Sequence, residues 1–318
     1  MKRTYIIIST LFLTIIHLTA QQTPVSEMYM IDYYYANPAE AGRKNCLIAH
    51  LSDVHQWLGI KNAPNMQTLS IHKGFKKEHR MSYHGLGGII FRDQNGHYGS
   101  TGFKASYAFH VLINERKKTY LSMGLSGEYA QRALDENGFL NYNSDPALTG
   151  SGQSAWNPNA DFGIILSNKT FLAGFALLDL IPVNNSISAP VASERQNRKY
   201  SLFFSKSLPL THTIEAEPSF MFKINEKLLN EADFNCKLFF NESFWLGLSY
   251  RHALDAFPGK SLSLIIYAGV SYNNWCFDYS FAANTGSLQK YHYGTHGLTV
   301  SYKICSNEKG AVPCPAYK

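Results

Sequence analysis

Hydrophobicity along this chain repeats every second residue, and that period is the feature that most restricts its fold. Leu121, Met123, Leu125, Gly127 and Tyr129 alternate with Ser122, Gly124, Ser126, Glu128 and Ala130. Phe103, Ala105, Tyr107, Phe109 and Val111 alternate with Lys104, Ser106, Ala108 and His110. The same holds for Trp275, Phe277, Tyr279 and Phe281 against Cys276, Asp278 and Ser280, and for Leu298, Val300, Tyr302 and Ile304 against Thr299, Ser301 and Lys303. Neighbouring side chains of an extended strand point to opposite faces, so each run is a strand with one apolar and one polar face. No long stretch offers a 3.6-residue period. The runs amount to about fourteen strands of about ten residues, the length a tilted membrane-spanning strand needs. They are expected near 45–53, 65–74, 83–93, 100–113, 119–132, 159–168, 170–179, 198–208, 213–224, 231–240, 243–252, 261–272, 274–284 and 294–304.

The links between these runs alternate in length. Tight ones fall at 114–118, 168–169, 208–211, 241–242 and 273; long ones at 134–158, 179–197, 223–230, 252–259 and 284–293. Only 73–82 is longish on the short side. Short turns on one side and long loops on the other are the pattern of an outer-membrane barrel with both termini in the periplasm. Composition agrees. Of 318 residues only 16% are charged and 14% are aromatic, with mean hydropathy −0.20, whereas an average soluble domain carries about 25% charged residues. A disordered chain would lack the aromatics. A helical membrane protein would need apolar runs of about 20 residues, and none occurs beyond the first twenty. The +6 charge is spread rather than clustered, which argues against nucleic-acid binding. A soluble sandwich of this many strands would divide into two linked domains, and neither a Pro/Ser linker nor a repeat is present. The reading is an all-β, antiparallel transmembrane barrel.

Lys2 and Arg3, the apolar stretch 5–18 and Thr19-Ala20 read as a signal peptide over 1–20, cleaved after Ala20. Loss of Lys2 and Arg3 takes the 29 basic residues to 27 against 23 acidic, a formal charge of +4. Residues 21–44 then form a periplasmic or lumenal segment, 45–304 the barrel and 305–318 a periplasmic tail. Met28, Met30, Ile31 and three consecutive tyrosines make 21–44 too apolar for a free tail, so it is expected to pack at or in the lumen. Of five cysteines, Cys305 and Cys314 bracket a short polar stretch and are a possible disulfide.

Catalytic and cofactor patterns are absent. The histidines form no H-E-x-x-H, no C-x-x-C exists, and there is no G-x-S-x-G elbow. No catalytic residue, metal or cofactor is expected. Gly85-Leu86-Gly87-Gly88 lies within a strand pattern, where glycine serves curvature or close packing of lumen contents rather than a phosphate. Glu215, Glu217 and Lys223 share the lumen face of one strand, with Lys104 and Glu128 on others; they either brace the interior, or line a pore or hold a plug. The charged turn 114–118 either is simply solvated or docks a periplasmic partner.

Motifs spread along the chain resemble the PorP/SprF family of type IX secretion outer-membrane proteins. Asn37-Pro38-Ala39 with Ala41-Gly42 is similar to its N-P-A-x-A-G, and Gln56-Trp57-Leu58-Gly59 with Ala63-Pro64 and Gln67 to its Q-W-x-G-…-A-P-x-x-Q. Residues 86–102, 102–110 and 121–129 resemble the strands that follow. Asp145-Pro146-Ala147, residues 158–163 and Gly294-Thr295-His296 match further on; the match thins over 190–290. The resemblance implies a non-enzymatic secretion component of the outer membrane. Its partners would be the periplasmic ring and a peptidoglycan-linked protein, or the C-terminal domain of a secreted surface protein of gliding or adhesin type. Asn37, Pro38, Ala39, Gly42, Gln56, Trp57, Gly59, Ala63, Pro64, Asp145 and Pro146 are then candidate plug or partner contacts. A general pore or solute channel is the alternative, and an adhesin or enzyme built on loops 134–158 and 180–197 a third reading.

Overall fold

The computed structural model describes residues 27–44, 46–77, 80–136, 153–182, 184–185, 194–195, 197–226, 230–241, 243–254, 262–284 and 290–305. The expected leader 1–20, and Asp145, Pro146 and Cys314, lie outside these residues.

Fourteen long strands follow one another: β1 (Cys46–His55), β2 (Asn65–Phe75), β3 (Ser82–Asn95), β4 (Tyr98–Asn114), β5 (Thr119–Leu134), β6 (Gln153–Ser167), β7 (Phe171–Leu178), β8 (Lys199–Lys206), β9 (Ile214–Asn225), β10 (Glu231–Phe240), β11 (Phe244–Ala253), β12 (Leu262–Tyr272), β13 (Trp275–Asn284) and β14 (Thr295–Cys305). Each pairs antiparallel with its sequence neighbours, and β1 pairs with β14 from Cys46↔Cys305 to His55↔His296. The ladder β8–β9 completes the circuit, and Leu208–Pro209 add two residues alongside β9. The sheet is closed. Every strand has a partner on both sides, so no free edge faces hydrocarbon, where an unpaired backbone amide costs several kcal/mol.

The alternation sorts side chains as the sequence implies. Leu125 and Leu298 are 57% and 61% exposed while Ser122 and Ser249 are 0% exposed. Large apolar groups pointing outward all around the sheet belong against lipid. Aromatic rings cap this band: Tyr129 stacks on Trp156 at 4.9 Å, with Phe103 6.3 Å from Tyr129. Above them, toward the long-loop side, the outward residues turn polar at Arg92, Gln94, Thr101 and Ser154. β3 to β6 therefore outreach the band, being 14–17 residues long where about 9–11 suffice to span.

Two boundaries differ from expectation. β6 begins at Gln153, upstream of the start expected at 159. Pro158 pairs with Tyr129 of β5, but β7 reaches only Phe162 on the other side, so a missing N–H there deprives no neighbour. β3 and β4 join through the tight turn 96–97, where Gly96 has φ +63°, so residues expected as loop extend the strands instead.

The Cys305–Cys314 bridge is a correction. Cys305 is bonded to Cys46, 259 residues away in sequence, with Cα atoms 4.4 Å apart. Closure of the barrel sets the first and last strands face to face, and that adjacency is invisible in linear spacing. Replacing Cys46 and Cys305 together by Ser is expected to leave the barrel closed, since the rest of the β1–β14 ladder remains. Its urea midpoint should fall by the equivalent of about 2–4 kcal/mol. Heat-modifiable gel migration reads this, and an unchanged midpoint would contradict a role for the bridge in holding the seam.

Candidate functional site

The most elaborate part of the molecule is the contact between residues 28–43 and the inward faces of the strands. The chain here makes three short 3-10 turns, Glu27–Met30, Tyr33–Tyr35 and Pro38–Glu40. Each of the last two begins on a side-chain cap. Asp32 accepts from the Tyr34 N–H at 3.1 Å, and Asn37 accepts from the Ala39 N–H at 2.9 Å with Pro38 in the first helical position. This is what the Asn-Pro pair does physically: Asn satisfies an orphan amide, and Pro starts a turn where its missing N–H is not needed.

The segment runs opposite to β1. Met28 lies against Gly297 of β14 beside Val54 of β1, near the long-loop ends of those strands. At the other end, Tyr83 Oη at the start of β3 donates to the Arg43 carbonyl, and the Gly42 N–H donates to His72 Nδ1 at 3.0 Å. Between them Tyr34 Oη donates to Ser106 Oγ at 2.8 Å, and Asn37 Nδ2 donates to the Phe175 carbonyl at 3.1 Å. Met28, Tyr29, Met30, Ile31, Tyr33 and Ala39 are at most 4% exposed and pack on inward-facing Ile165, Phe203, Met221 and Trp245. Burial pushes the Tyr34 phenol up to about 12 and those of Tyr33 and Tyr35 higher, so all three stay protonated.

Glycine makes the approach possible. A Cβ on Gly124 of β5 would collide with the backbone of Pro38 and Ala39, and one on Gly163 of β6 with the Asn37 side chain. Gly42, at φ +71°, closes the third turn against the backbone of Lys73 and Gly74, a conformation and a proximity that only glycine tolerates.

Ion pairs fill the rest of the inward face. Lys104 of β4 sits 2.9 Å from both Glu128 of β5 and Asp161 of β6, and Ser126 and the Asp179 N–H also donate to Asp161. Lys223 of β9 lies 3.0 Å from Asp233 and 3.6 Å from Glu231, while Arg251 reaches Asp233 at 2.9 Å. Tyr29 belongs to this second cluster: its hydroxyl donates to Asp233 at 2.9 Å and Lys223 Nζ lies 4.8 Å from its ring. Glu217 pairs with Lys237 at 3.6 Å, both fully buried, and Glu215 accepts from Ser207 at 2.5 Å. The charges singled out in the sequence thus fall into separate clusters, with Glu215 held by a serine rather than by a cation. Their partners Asp161, Asp233, Lys237 and Arg251 were missed, because pairing depends on inter-strand register; inward parity was the signal available for them.

Asp32, His50 and His72 bring potential ligand atoms within 4.8 Å of one another. The hydrogen bonds argue against a metal centre. His72 Nδ1 already accepts from Gly42, which leaves its proton on Nε2, and Asp32 accepts from Tyr34 and from Ser70 at 2.5 Å. The cluster ties the segment to β1 and β2.

Gln56, Trp57, Gly59, Ala63 and Pro64 are elsewhere, in the 56–64 connection on the long-loop side. Gln56 N–H donates to Pro64 O at 2.8 Å, and Leu58 exchanges backbone bonds of 2.9 and 2.8 Å with Gly294 and Tyr293. Trp57, at φ +48°, packs 6.5 Å from the His292 ring. The two family-like loops, Q-W-L-G and the one ending in Gly294, thus meet. They do not touch Asn37 or Pro38 in any bond described.

Lys104→Met removes the cation that two buried carboxylates share, leaving Glu128 with Arg132 at 3.9 Å and Asp161 with neutral donors, and breaking such a buried pair costs about 3–5 kcal/mol. The variant should unfold at correspondingly lower urea in lipid vesicles, with Lys104→Arg losing less; equal midpoints would contradict the cluster's bracing role.

A family model for the type IX secretion system membrane protein PorP/SprF matches residues 18–302. No curated protein matches the chain. Among solved structures, the CymD monoaromatic hydrocarbon channel is similar with a TM-score of 0.50 at 10% identity, over 91% of this chain and 95% of that one. A TodX deletion mutant, also a monoaromatic hydrocarbon channel, gives 0.48 at 8% over 82% and 89%, and the KdgM porin 0.37 at 10% over 82% and 99%. At such identities the likeness to CymD speaks for the barrel fold alone. The family match spans nearly the whole chain, and the chain belongs to the PorP/SprF family of type IX secretion system membrane proteins, as a β-barrel of the outer membrane.

Proposed function

We propose that this barrel is a non-enzymatic, protein-binding part of type IX secretion whose own N-terminal segment occludes its lumen. It links the outer membrane to the periplasmic ring, or accompanies one cognate secreted surface protein of gliding or adhesin type. The observation that carries the reading is the burial of Met28 to Arg43 on inward-facing side chains of many strands. A solute channel needs a continuous polar path, whereas this segment contributes Met, Ile and Tyr to an apolar cluster across the interior.

In this reading Asn37, Pro38, Ala39 and Gly42 seat the plug. Gln56, Trp57, Gly59, Ala63 and Pro64, together with Asp145 and Pro146, face a partner outside the cell. Lys104, Glu128, Glu215, Glu217 and Lys223 brace the wall. No catalytic residue, cofactor or metal takes part. The solute-channel reading is kept for one reason, the description of the similar CymD structure as a channel.

Purified protein in planar bilayers is expected to be electrically silent, while Gly124→Leu, which expels Pro38 and Ala39, should open stepwise conductance. Large wild-type conductance would favour the channel. In cells, deletion should abolish surface display of one or a few proteins, and crosslinked pulldown should recover ring components or a secreted C-terminal domain. Intact secretion in the deletion strain would refute the proposal.

A further inference from the structure

One arc of the outer wall breaks the pattern of its lipid-facing side. Toward the short-turn ends of β2 and β3, and beside them midway along β4, the outward residues include Lys73, His84 and Tyr107, all exposed. Lys73 stands between outward-facing Ile71 and Phe75, its Nζ 5.6 Å from the Phe75 ring centroid. His84 pairs opposite Phe75, and its Nδ1 is 2.7 Å from Tyr107 Oη. Lys73 pairs opposite Leu86, which in turn pairs opposite Tyr107, so the three polar groups are near neighbours on one surface.

Just beyond the last apolar side chains of this arc comes a rim of positive charge. Phe75 is followed by Lys76 and Lys77, Met81 is preceded by Arg80, and Ile113 is followed closely by Arg116, Lys117 and Lys118. All these basic residues are exposed. The turns are contiguous: Leu112 N–H donates to the Met81 carbonyl at 2.6 Å, and Lys76 Nζ donates to Tyr120 Oη at 2.7 Å. Lys169 and Lys206 continue the rim through the next turns. In the sequence, Glu78 and Glu115 are the acidic residues of 76–81 and 115–118, whereas 241–243 and 273–274 hold no Lys or Arg. The positive charge gathers on the β2–β8 arc.

We propose that this arc binds an anionic phospholipid of the periplasmic leaflet, its phosphodiester held by Lys73, Lys77 and Arg80 and flanked by His84 and Tyr107. An acidic protein surface would be drawn to the same rim from below. Lys73 decides between them: it lies inside the apolar band, above Phe75, and is reached only from the bilayer. Lysines at headgroup depth attract anionic lipid, each by about a factor of five.

The test uses the full-length protein in detergent micelles, titrated with phosphatidylglycerol or phosphatidylcholine and read by native mass spectrometry. Wild type should take up phosphatidylglycerol at about tenfold lower concentration or less. Lys73→Gln with Lys77→Gln and Arg80→Gln should erase that preference while heat-modifiable migration reports a folded barrel. If that variant does not fold, Lys77→Gln with Arg116→Gln and Lys117→Gln, all on exposed turns, should still reduce the preference severalfold. Equal uptake of both lipids by wild type, or an intact preference in the variants, would overturn the proposal. So would full displacement by inorganic phosphate, which marks a plain anion site, or a Lys73→Gln variant that keeps lipid yet loses an acidic protein partner.

Discussion

Everything in this molecule follows from the pairing of backbone amides and carbonyls where water is absent. A spanning sheet in hydrocarbon must close on itself, so β1 meets β14 and β8 meets β9. Closure fixes an inside and an outside, and the two-residue period assigns each side chain to one of them. The shortage of charge in the composition is a shortage on one face only. The other face carries Lys104 with Glu128 and Asp161, and Lys223 and Arg251 with Asp233, and the turns of residues 27–40 fold against it.

A closed barrel has an interior to fill, and small and large residues divide the work. Gly124 and Gly163 recess the wall where Asn37, Pro38 and Ala39 approach, and Tyr29, Tyr33 and Tyr34 fill the wider spaces between strands. The phenols are not simply hydrophobic ballast: Tyr34 bonds Ser106 and Tyr29 bonds Asp233, so the segment is joined to the polar wall at both levels. The fixed register of the wall makes the recess specific. A one-residue slip in β5 would turn Gly124 outward and set Met123 or Leu125 against the turn.

Much of this was legible from residues alone, for a physical reason. A period of two is a direct imprint of strand geometry, and it placed nearly every strand to within a few residues. Its failures are instructive. The strand expected from 159 begins at Gln153 and carries Pro158, which sits where no neighbour asks for its N–H. Cys46 and Cys305 meet only because the sheet closes, so Cys305 looked nearer to Cys314 than to its true partner. Lys104 and Glu128 could be placed on the inward face, yet their pairing, and the addition of Asp161, required the register across three strands. The tie among Asp32, His50 and His72 had no sequence signal, since it joins residues of a turn and two strands through the third dimension. The glycine-rich stretch 85–88 reads as a place for strand curvature or close packing; Gly85 and Gly87 face Ala41 and Tyr34.

Everything proposed for this barrel depends on residues 28–43 occupying the interior and shielding it from solvent. A single cysteine at Ala39, introduced with Cys236 replaced by Ser and tested on the protein in native membranes with a small impermeant maleimide, addresses it directly. Labelling at position 39 is expected to be far slower than at exposed Lys117 and to rise only after denaturation. Rapid labelling in the native protein, comparable to a cysteine placed at exposed Lys117, would contradict it.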